Sequence, residues 1–217
     1  MLQPRIVVLA PYRGGDPDRD RAWAVVRPYY ESFGWPVYTA DAPGPRFNIS
    51  GSYNAAAREA GDWDLAVIIN ADCVVNPEQL RAGVTHAVTS AHLTLPHDDL
   101  RRIRRGRYPE PPIEHRVWFR NRTAYGGPHS VPAGVVLMPR VVWDRIGGYD
   151  ERFEGWGFED AAMLRAAGEY DRLPGVIYHY DHITRKHDIR PGEPEIWEAE
   201  YRHRPMKEHL VNPGSEE

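Results

Sequence analysis

Apolar positions in the first part of the chain fall into two alternating kinds of run. Arg5-Ile6-Val7-Val8-Leu9-Ala10 is continuous, β-branched and stopped by Pro11, the pattern of a strand covered on both faces. Residues 19–33 place Ala22, Val25, Val26, Tyr29 and Tyr30 at helical spacing, with an interruption expected at Pro28. Trp35 to Ala40 reads as a second strand ending at Asp41, and Ser50 as the cap of a helix over 51–60 whose Tyr53, Ala56, Ala57 and Ala60 share a face. Asp64-Leu65-Ala66-Val67-Ile68-Ile69-Asn70 is the strongest strand in the sequence, and Pro77 opens a helix to about Val88. Strand–helix units in this order predict an α/β fold, a Rossmann-like and mostly parallel sheet flanked by helices. Ligands of such sheets bind at the carboxyl ends of the strands. Pro11-Tyr12-Arg13, Asp41 and Asn70-Ala71-Asp72 are therefore expected on one rim.

The second half is less regular. Residues 96–132 are proline-rich and carry the basic run Arg101-Arg102-Ile103-Arg104-Arg105-Gly106-Arg107; the pattern predicts a long loop, functional or mobile. Val135 to Met138 is a further strand, followed by a short helix closing at Gly147-Gly148, a helix from Phe158 to Ala167 and a last strand at 176–179. After Arg190 the sequence is polar and proline-spaced, an extended tail with one helical stretch around 194–204. One domain over 1–190 with a tail at 191–217 is the expected organisation.

Composition narrows the function. A formal charge of −4 argues against wholesale nucleic-acid binding, leaving the arginine run as the one basic patch. The single cysteine, Cys73, excludes an intrachain disulfide and a multi-cysteine metal cage. The apolar run at the N-terminus is too short for a membrane span, so a cytoplasmic protein without a membrane partner is expected. Seven Trp and twelve Tyr supply flat surfaces suited to sugars and bases as well as to a core. No phosphate loop, dinucleotide fingerprint or Gly-x-Ser-x-Gly elbow occurs. Asp16-Pro17-Asp18-Arg19-Asp20 imitates a calcium loop but lacks its central Gly and its closing Glu.

Three places could carry chemistry. Asn70-Ala71-Asp72 is either an acidic turn where a divalent ion meets a diphosphate or a turn cap before Asn76-Pro77. Gly155-Trp156-Gly157-Phe158-Glu159-Asp160 puts an indole between glycines and two carboxylates at a helix start. Those acids are either caps or a general base beside an aromatic platform. His179-Tyr180-Asp181-His182, with His187 beyond, is a metal-binding cluster or a polar strand end.

Read together, these blocks resemble the GT-A fold glycosyltransferases, nearest to β-1,4-galactosyltransferases and bacterial chondroitin-polymerase domains. Phe47-Asn48 through Asn54 to Ala60 resembles the family's Phe-Asn-x-Ala … Asn-x-Gly segment. Asn70-Ala71-Asp72 stands where Asp-x-Asp belongs. Gly147-Gly148-Tyr149-Asp150 followed by Gly155-Trp156-Gly157-Phe158-Glu159-Asp160 resembles the Gly-Phe-Asp … Trp-Gly-Trp-Gly-x-Glu-Asp block.

The resemblance implies a nucleotide-sugar and metal half over 1–95 and an acceptor and catalytic half over 96–190. Pro11, Tyr12, Arg13, Asp41, Asn54, Asn70, Asp72 and Gly134 would bind a nucleotide-diphosphate sugar. Asp72 would hold Mn²⁺ or Mg²⁺ with a histidine, His179 ahead of His182. Trp156 and Glu159 would bind and orient an acceptor hydroxyl, and Asp160 would be the general base of an inverting transfer. The first acid of Asp-x-Asp is Asn70 here, and Ile49-Ser50 stands where the galactosyltransferases carry a basic donor contact. The remaining readings are a nucleotide-sugar-binding module without catalysis, a transferase acting on modified nucleic-acid bases, and a nucleotidyltransferase gripping triphosphate with Arg13-Gly14-Gly15.

Overall fold

The computed structural model describes residues 3–44, 47–114, 118–120, 134–154, 157–182 and 193–211. β1 (Ile6–Pro11), β2 (Val37–Ala40) and β3 (Leu65–Ile69) form a parallel group with β1 in the middle. Helix α1 (Pro17–Glu31) follows β1 and α2 (Ile49–Ala60) follows β2. After β3 the chain enters the short strand β4 (Cys73–Val75) and then α3 (Pro77–Ser90). β5 (Thr94–Leu95), β6 (Asp99–Ile103) and β7 (Trp118–Arg120) come next. They are followed by β8 (Val135–Pro139), α4 (Arg140–Ile146), α5 (Glu159–Ala167), β9 (Glu169–Arg172) and β10 (Val176–Tyr180). The C-terminal segment holds α6 (Glu193–Ile196), a π-helical turn over Trp197–Tyr201 and β11 (Lys207–Leu210).

The main sheet has seven strands in the order β11-β9-β5-β8-β3-β1-β2. It is mostly parallel; β8 alone runs against its neighbours β3 and β5. Alternate side chains of the central strands face opposite helical layers. Val8, Val67, Ile69, Val135 and Leu137 pack with Ala22, Trp23, Val26 and Tyr30 of α1 and Leu80 of α3. Val7, Leu9, Ala66, Ile68, Val136 and Met138 pack with Tyr53, Ala56 and Ala57 of α2, Val142 of α4 and Met163 of α5. Burial on both faces is why these strands read as unbroken apolar runs.

A second sheet, β4-β10-β6-β7, stands beside the first. Of its strands the sequence shows β10 alone, because β4 and β7 are only three residues long, β6 is broken by charges, and the pairings join residues far apart in the chain. It corrects the expectation of one long loop over 96–132: Arg101 and Arg102 lie within β6, paired in parallel with Tyr178 and His179 of β10.

Four further expectations change. Helix α1 starts at Pro17, capped by Asp16, whose carboxylate accepts from the amides of Asp18 and Arg19; the calcium-like sequence is a helix cap. The helix also runs through Pro28 without stopping, because Val26 and Tyr30 on either side of it are anchored in the core. Helix α2 is capped by Asn48, not Ser50: Asn48 Oδ1 accepts from Gly51 N at 2.8 Å, and Ser50 is buried within the helix. The stretch after Arg190, expected as an extended tail with one helical stretch around 194–204, has that helical stretch in α6 and the π-helical turn, but its end is not a loose tail: β11 joins the main sheet beside β9.

Candidate active site

The parallel strands end together, and the backbone continues their rim. Tyr12 N donates to Ala40 O at 3.1 Å, and Asn70 N to Gly134 O at 2.9 Å. Pro11-Tyr12-Arg13, Asp41, Asn70, Asp72 and Gly134 therefore share one edge of the molecule, as the strand order requires.

Asp72 lies where the main sheet hands over to the second one. The chain leaves β3 through Asn70 and Ala71 and enters β4, which pairs with β10 so that Cys73 faces His179. Asp72 O accepts from Tyr180 N at 2.9 Å. His179 Nε2 lies 3.7 Å from Asp72 Oδ1, and His182 Nε2 lies 3.0 Å from Oδ2. One ligand atom from each of these residues falls within 4.8 Å of the other two, the one such group of three among the described residues. His182 is the nearer of the two histidines; His187 lies outside the described residues.

Charge and burial prepare this group for a cation. Burial disfavours the Asp72 carboxylate, but His179, the bond from His182 and the charge of Arg19 on α1 outweigh it and hold the carboxyl far below its usual range. Burial also pushes His179 below the usual histidine value. The Asp72 carboxylate is thus held in its ionised state, the one a divalent ion requires. The Nδ1 of His179 is buried without a hydrogen-bond partner among the described residues, a cost of the kind retained at functional sites. Two imidazoles and one carboxylate fit a divalent ion.

Around this centre the rim is more tied down than the sequence suggested. Arg13 grips Asp41, with Nε 2.9 Å and 2.8 Å from the two carboxylate oxygens, and its guanidinium lies 5.5 Å from the Phe47 ring centre. Tyr12 stacks on Trp23 with ring centres 5.1 Å apart and donates to Asp20 Oδ1 at 2.7 Å. Gly134 sits in a tight place: a Cβ there would lie 3.0 Å from both Cys73 Sγ and Ile177 Cδ1, closer than ordinary van der Waals contact. Asn54 acts as a clamp. Its Nδ2 donates to Tyr149 O and Glu151 Oε1 at 2.8 Å and 2.9 Å, and its Oδ1 accepts from Tyr149 N at 2.9 Å.

Glu159 and Asp160 open α5. Phe158 before them has φ 68°, a left-handed conformation unusual for a bulky residue, and stacks on Trp197 with ring centres 5.6 Å apart. Glu159 Oε2 accepts from Gly157 N at 2.9 Å, and burial pushes its carboxyl up against that bond. Burial first, and then the Asp160 charge, raise the Tyr149 hydroxyl; burial, Asp72 and Asp160 raise the Cys73 thiol. Asp160 is thus within electrostatic reach of the strand that follows Asp72. Trp156 lies outside the described residues.

Sequence reasoning missed two participants. Arg19 was an anonymous first-turn residue until the fold set it near Asp72. Tyr53 belongs by its spacing to the apolar face of α2, yet its hydroxyl donates to Asn70 Oδ1 at 2.7 Å.

Residues 120–186 match a family model described as the N-terminal domain of galactosyltransferase. Comparison with curated protein sequences finds no match. Among solved structures, the chain is similar to a Drosophila β1,4-galactosyltransferase 7 variant in complex with manganese, UDP-Gal and xylobiose. That likeness has a TM-score of 0.48 and 15% identity, over 85% of this chain and 68% of that one. The catalytic domain of the Drosophila enzyme with xylobiose gives 0.46 and 15%, over 90% and 73%. A glycosyltransferase involved in glycosylation of the major capsid of PBCV-1 gives 0.42 and 11%, over 97% and 83%. Likenesses this distant transfer neither substrate nor mechanism. No helix among the described residues is long and apolar enough to cross a membrane. What the chain shares with a known family is the stretch 120–186, which is similar to the segment described as the N-terminal domain of galactosyltransferase.

Proposed function

We propose that this chain is a metal-dependent glycosyltransferase of hexosyltransferase type, moving a sugar from a nucleotide-diphosphate donor to an acceptor hydroxyl. The observation that carries this reading is the convergence of Asp72, His179 and His182 at the strand-end rim, in a chain whose galactosyltransferase-like segment includes both histidines. In this reading Asp72, His179 and His182 hold Mn²⁺ or Mg²⁺. Two nitrogen ligands favour Mn²⁺, because Mg²⁺ prefers an all-oxygen octahedron. A divalent ion bound there supplies the positive charge that offsets the departing diphosphate.

The chain's own residues then divide the remaining tasks. Pro11, Tyr12 and the Arg13–Asp41 pair border the nucleoside, and Asn70 and Gly134 lie beside the path of the diphosphate sugar. Arg19 adds a positive charge on the Asp72 side. Trp156 stacks on the acceptor and Glu159 orients its hydroxyl. Asp160 takes the hydroxyl proton as the oxygen attacks, and a single displacement inverts the anomeric carbon. A second reading, a donor-binding module without transfer, is favoured by Asn70 in place of the motif's first acid. Turnover of a nucleotide sugar with Mn²⁺ separates the two.

The deciding experiment is a thermal-shift and calorimetric screen of nucleotide sugars with and without Mn²⁺, on the native chain and on Asp72→Ala. The native chain should bind one donor in a Mn²⁺-dependent way and respond less to Mg²⁺. Asp72→Ala should stay folded and lose both effects. Unchanged Mn²⁺-dependent donor affinity in that variant would rule the site out.

A further inference from the structure

We infer that Tyr53 is a positioning residue for Asn70, and that the pair converts position 70 from an acceptor into a fixed hydrogen-bond donor for an oxygen of the bound nucleotide. This rests on the nucleotide-sugar reading above and goes beyond it by naming the group that sets the chemistry of the altered motif position.

Asn70 has little freedom left except the orientation of its amide. Its backbone N–H is bonded to Gly134 O at 2.9 Å and its carbonyl to Cys73 N at 3.0 Å. Tyr53, 1% exposed, reaches it from α2, and its hydroxyl donates to Asn70 Oδ1 at 2.7 Å. The ring has no room to swing. It stacks on Tyr149 with centres 4.7 Å apart, and Asn54 clamps Tyr149 by bonds to its backbone N–H and carbonyl.

The direction of the bond follows from burial. Deep burial raises the Tyr53 hydroxyl well above its ordinary value, so it keeps its proton. If the amide turned over, Asn70 would present Nδ2 to the hydroxyl, and the buried O–H would need another acceptor. Leaving such a donor unsatisfied is unfavourable enough to decide the orientation. Tyr53 takes one lone pair of Oδ1, whereas Nδ2 has no partner among the described residues; it is the free half of the amide, and it can only donate. A carboxylate at position 70 would present an acceptor there. The ligand groups that fit a donor are oxygens: those of the diphosphate and the hydroxyls of the ribose.

The test uses the whole chain, Tyr53→Phe, Asn70→Ala and the double variant, with UDP, GDP, ADP and CDP in the presence of Mn²⁺ by calorimetry, and Mn²⁺ alone by electron paramagnetic resonance. Tyr53→Phe keeps the stacking ring. It should leave binding of Mn²⁺ alone unchanged and weaken the preferred nucleotide about tenfold, the worth of one well-placed hydrogen bond. In the Asn70→Ala background the same substitution should have almost no further effect. Pyrophosphate with Mn²⁺ separates the two oxygen sources: a loss seen with it assigns the bond to the diphosphate, and a loss seen only with nucleotide assigns it to the ribose. Unchanged nucleotide affinity in Tyr53→Phe, or equal losses in both backgrounds, would overturn the inference while leaving the transferase reading intact. Failure of the native chain to bind any of the four nucleotides would overturn both.

Discussion

Asp160 and Glu159 are neighbours with different surroundings, and those surroundings suggest different work. Asp160→Asn should lower turnover on the order of 10²–10⁴-fold, the usual worth of a positioned base, with donor affinity nearly intact, as single-turnover and binding measurements would show. Glu159→Gln should instead raise the acceptor KM. It also carries a stability signature. The folded pKa of Glu159 lies above its unfolded value, so its contribution is fully present below the unfolded pKa and is lost as pH rises through the folded one. Glu159→Gln should therefore be more thermally stable than the native chain at pH 7 to 8, with the difference vanishing near pH 4; melting curves across that range would check it. Residue types made Asp72, His179 and His182 visible in the sequence, since few other groups bind metals. Asn54 and Tyr53 were not visible in the same way, because an amide clamp and a hydroxyl lock depend on the partner that the fold brings to them.

Among the elements, the C-terminal segment has the least expected role. Trp197 stacks on Phe158, Tyr201 donates to Asp150 Oδ2 at 2.9 Å, and Arg152 bridges Asp150 and Glu200, each at 2.6 Å. These contacts brace the loop before α5 and the left-handed Phe158 that aims Glu159 and Asp160. Holding a non-glycine residue in that conformation costs about 1–2 kcal/mol, which the stack on Trp197 helps to offset. Trp197→Ala should thus lower kcat several-fold with little change in donor affinity, and hydrogen exchange should rise at 157–161 and 193–204 while β1 and β3 stay protected. An unchanged kcat with unchanged exchange would show that the segment has no such role. The strands β1 and β3 and the helices α2, α3 and α5 were legible to within a few residues, because each is a local run with a clear period. The second sheet was not, because β6 and β10 gain their meaning from one another across the chain.

For the molecule as a whole, the arginine run is the feature whose surroundings matter most. Arg101 pairs with Asp99 at 3.1 Å, Arg102 with Asp181 at 3.0 Å and Arg105 with Asp18 at 3.2 Å. The run, by its sequence a solvated face sooner than a track for phosphates, is partly neutralised and ties β6 and the turn after it to the loop after β10 and to the start of α1. On a chain of net charge −4, long-range attraction to a polyanion is weak. Retention on DNA or RNA should therefore be slight even at low salt and show no steep salt dependence; strong, salt-sensitive retention would reverse this conclusion.

The sequence by itself determined the layered α/β architecture, the rim at the strand ends and the residue types that can hold an ion or take a proton. Those depend on hydrophobic period, on glycine and proline punctuation and on side-chain chemistry, all of which are local. Only the tertiary structure decided that Asp72 meets both histidines, that β4 and β10 carry them together, and that Tyr53 governs Asn70. These are pairings between residues far apart in the chain. They arise when burial of the two helical layers fixes where each strand ends, and no local pattern records which distant side chain will be waiting there.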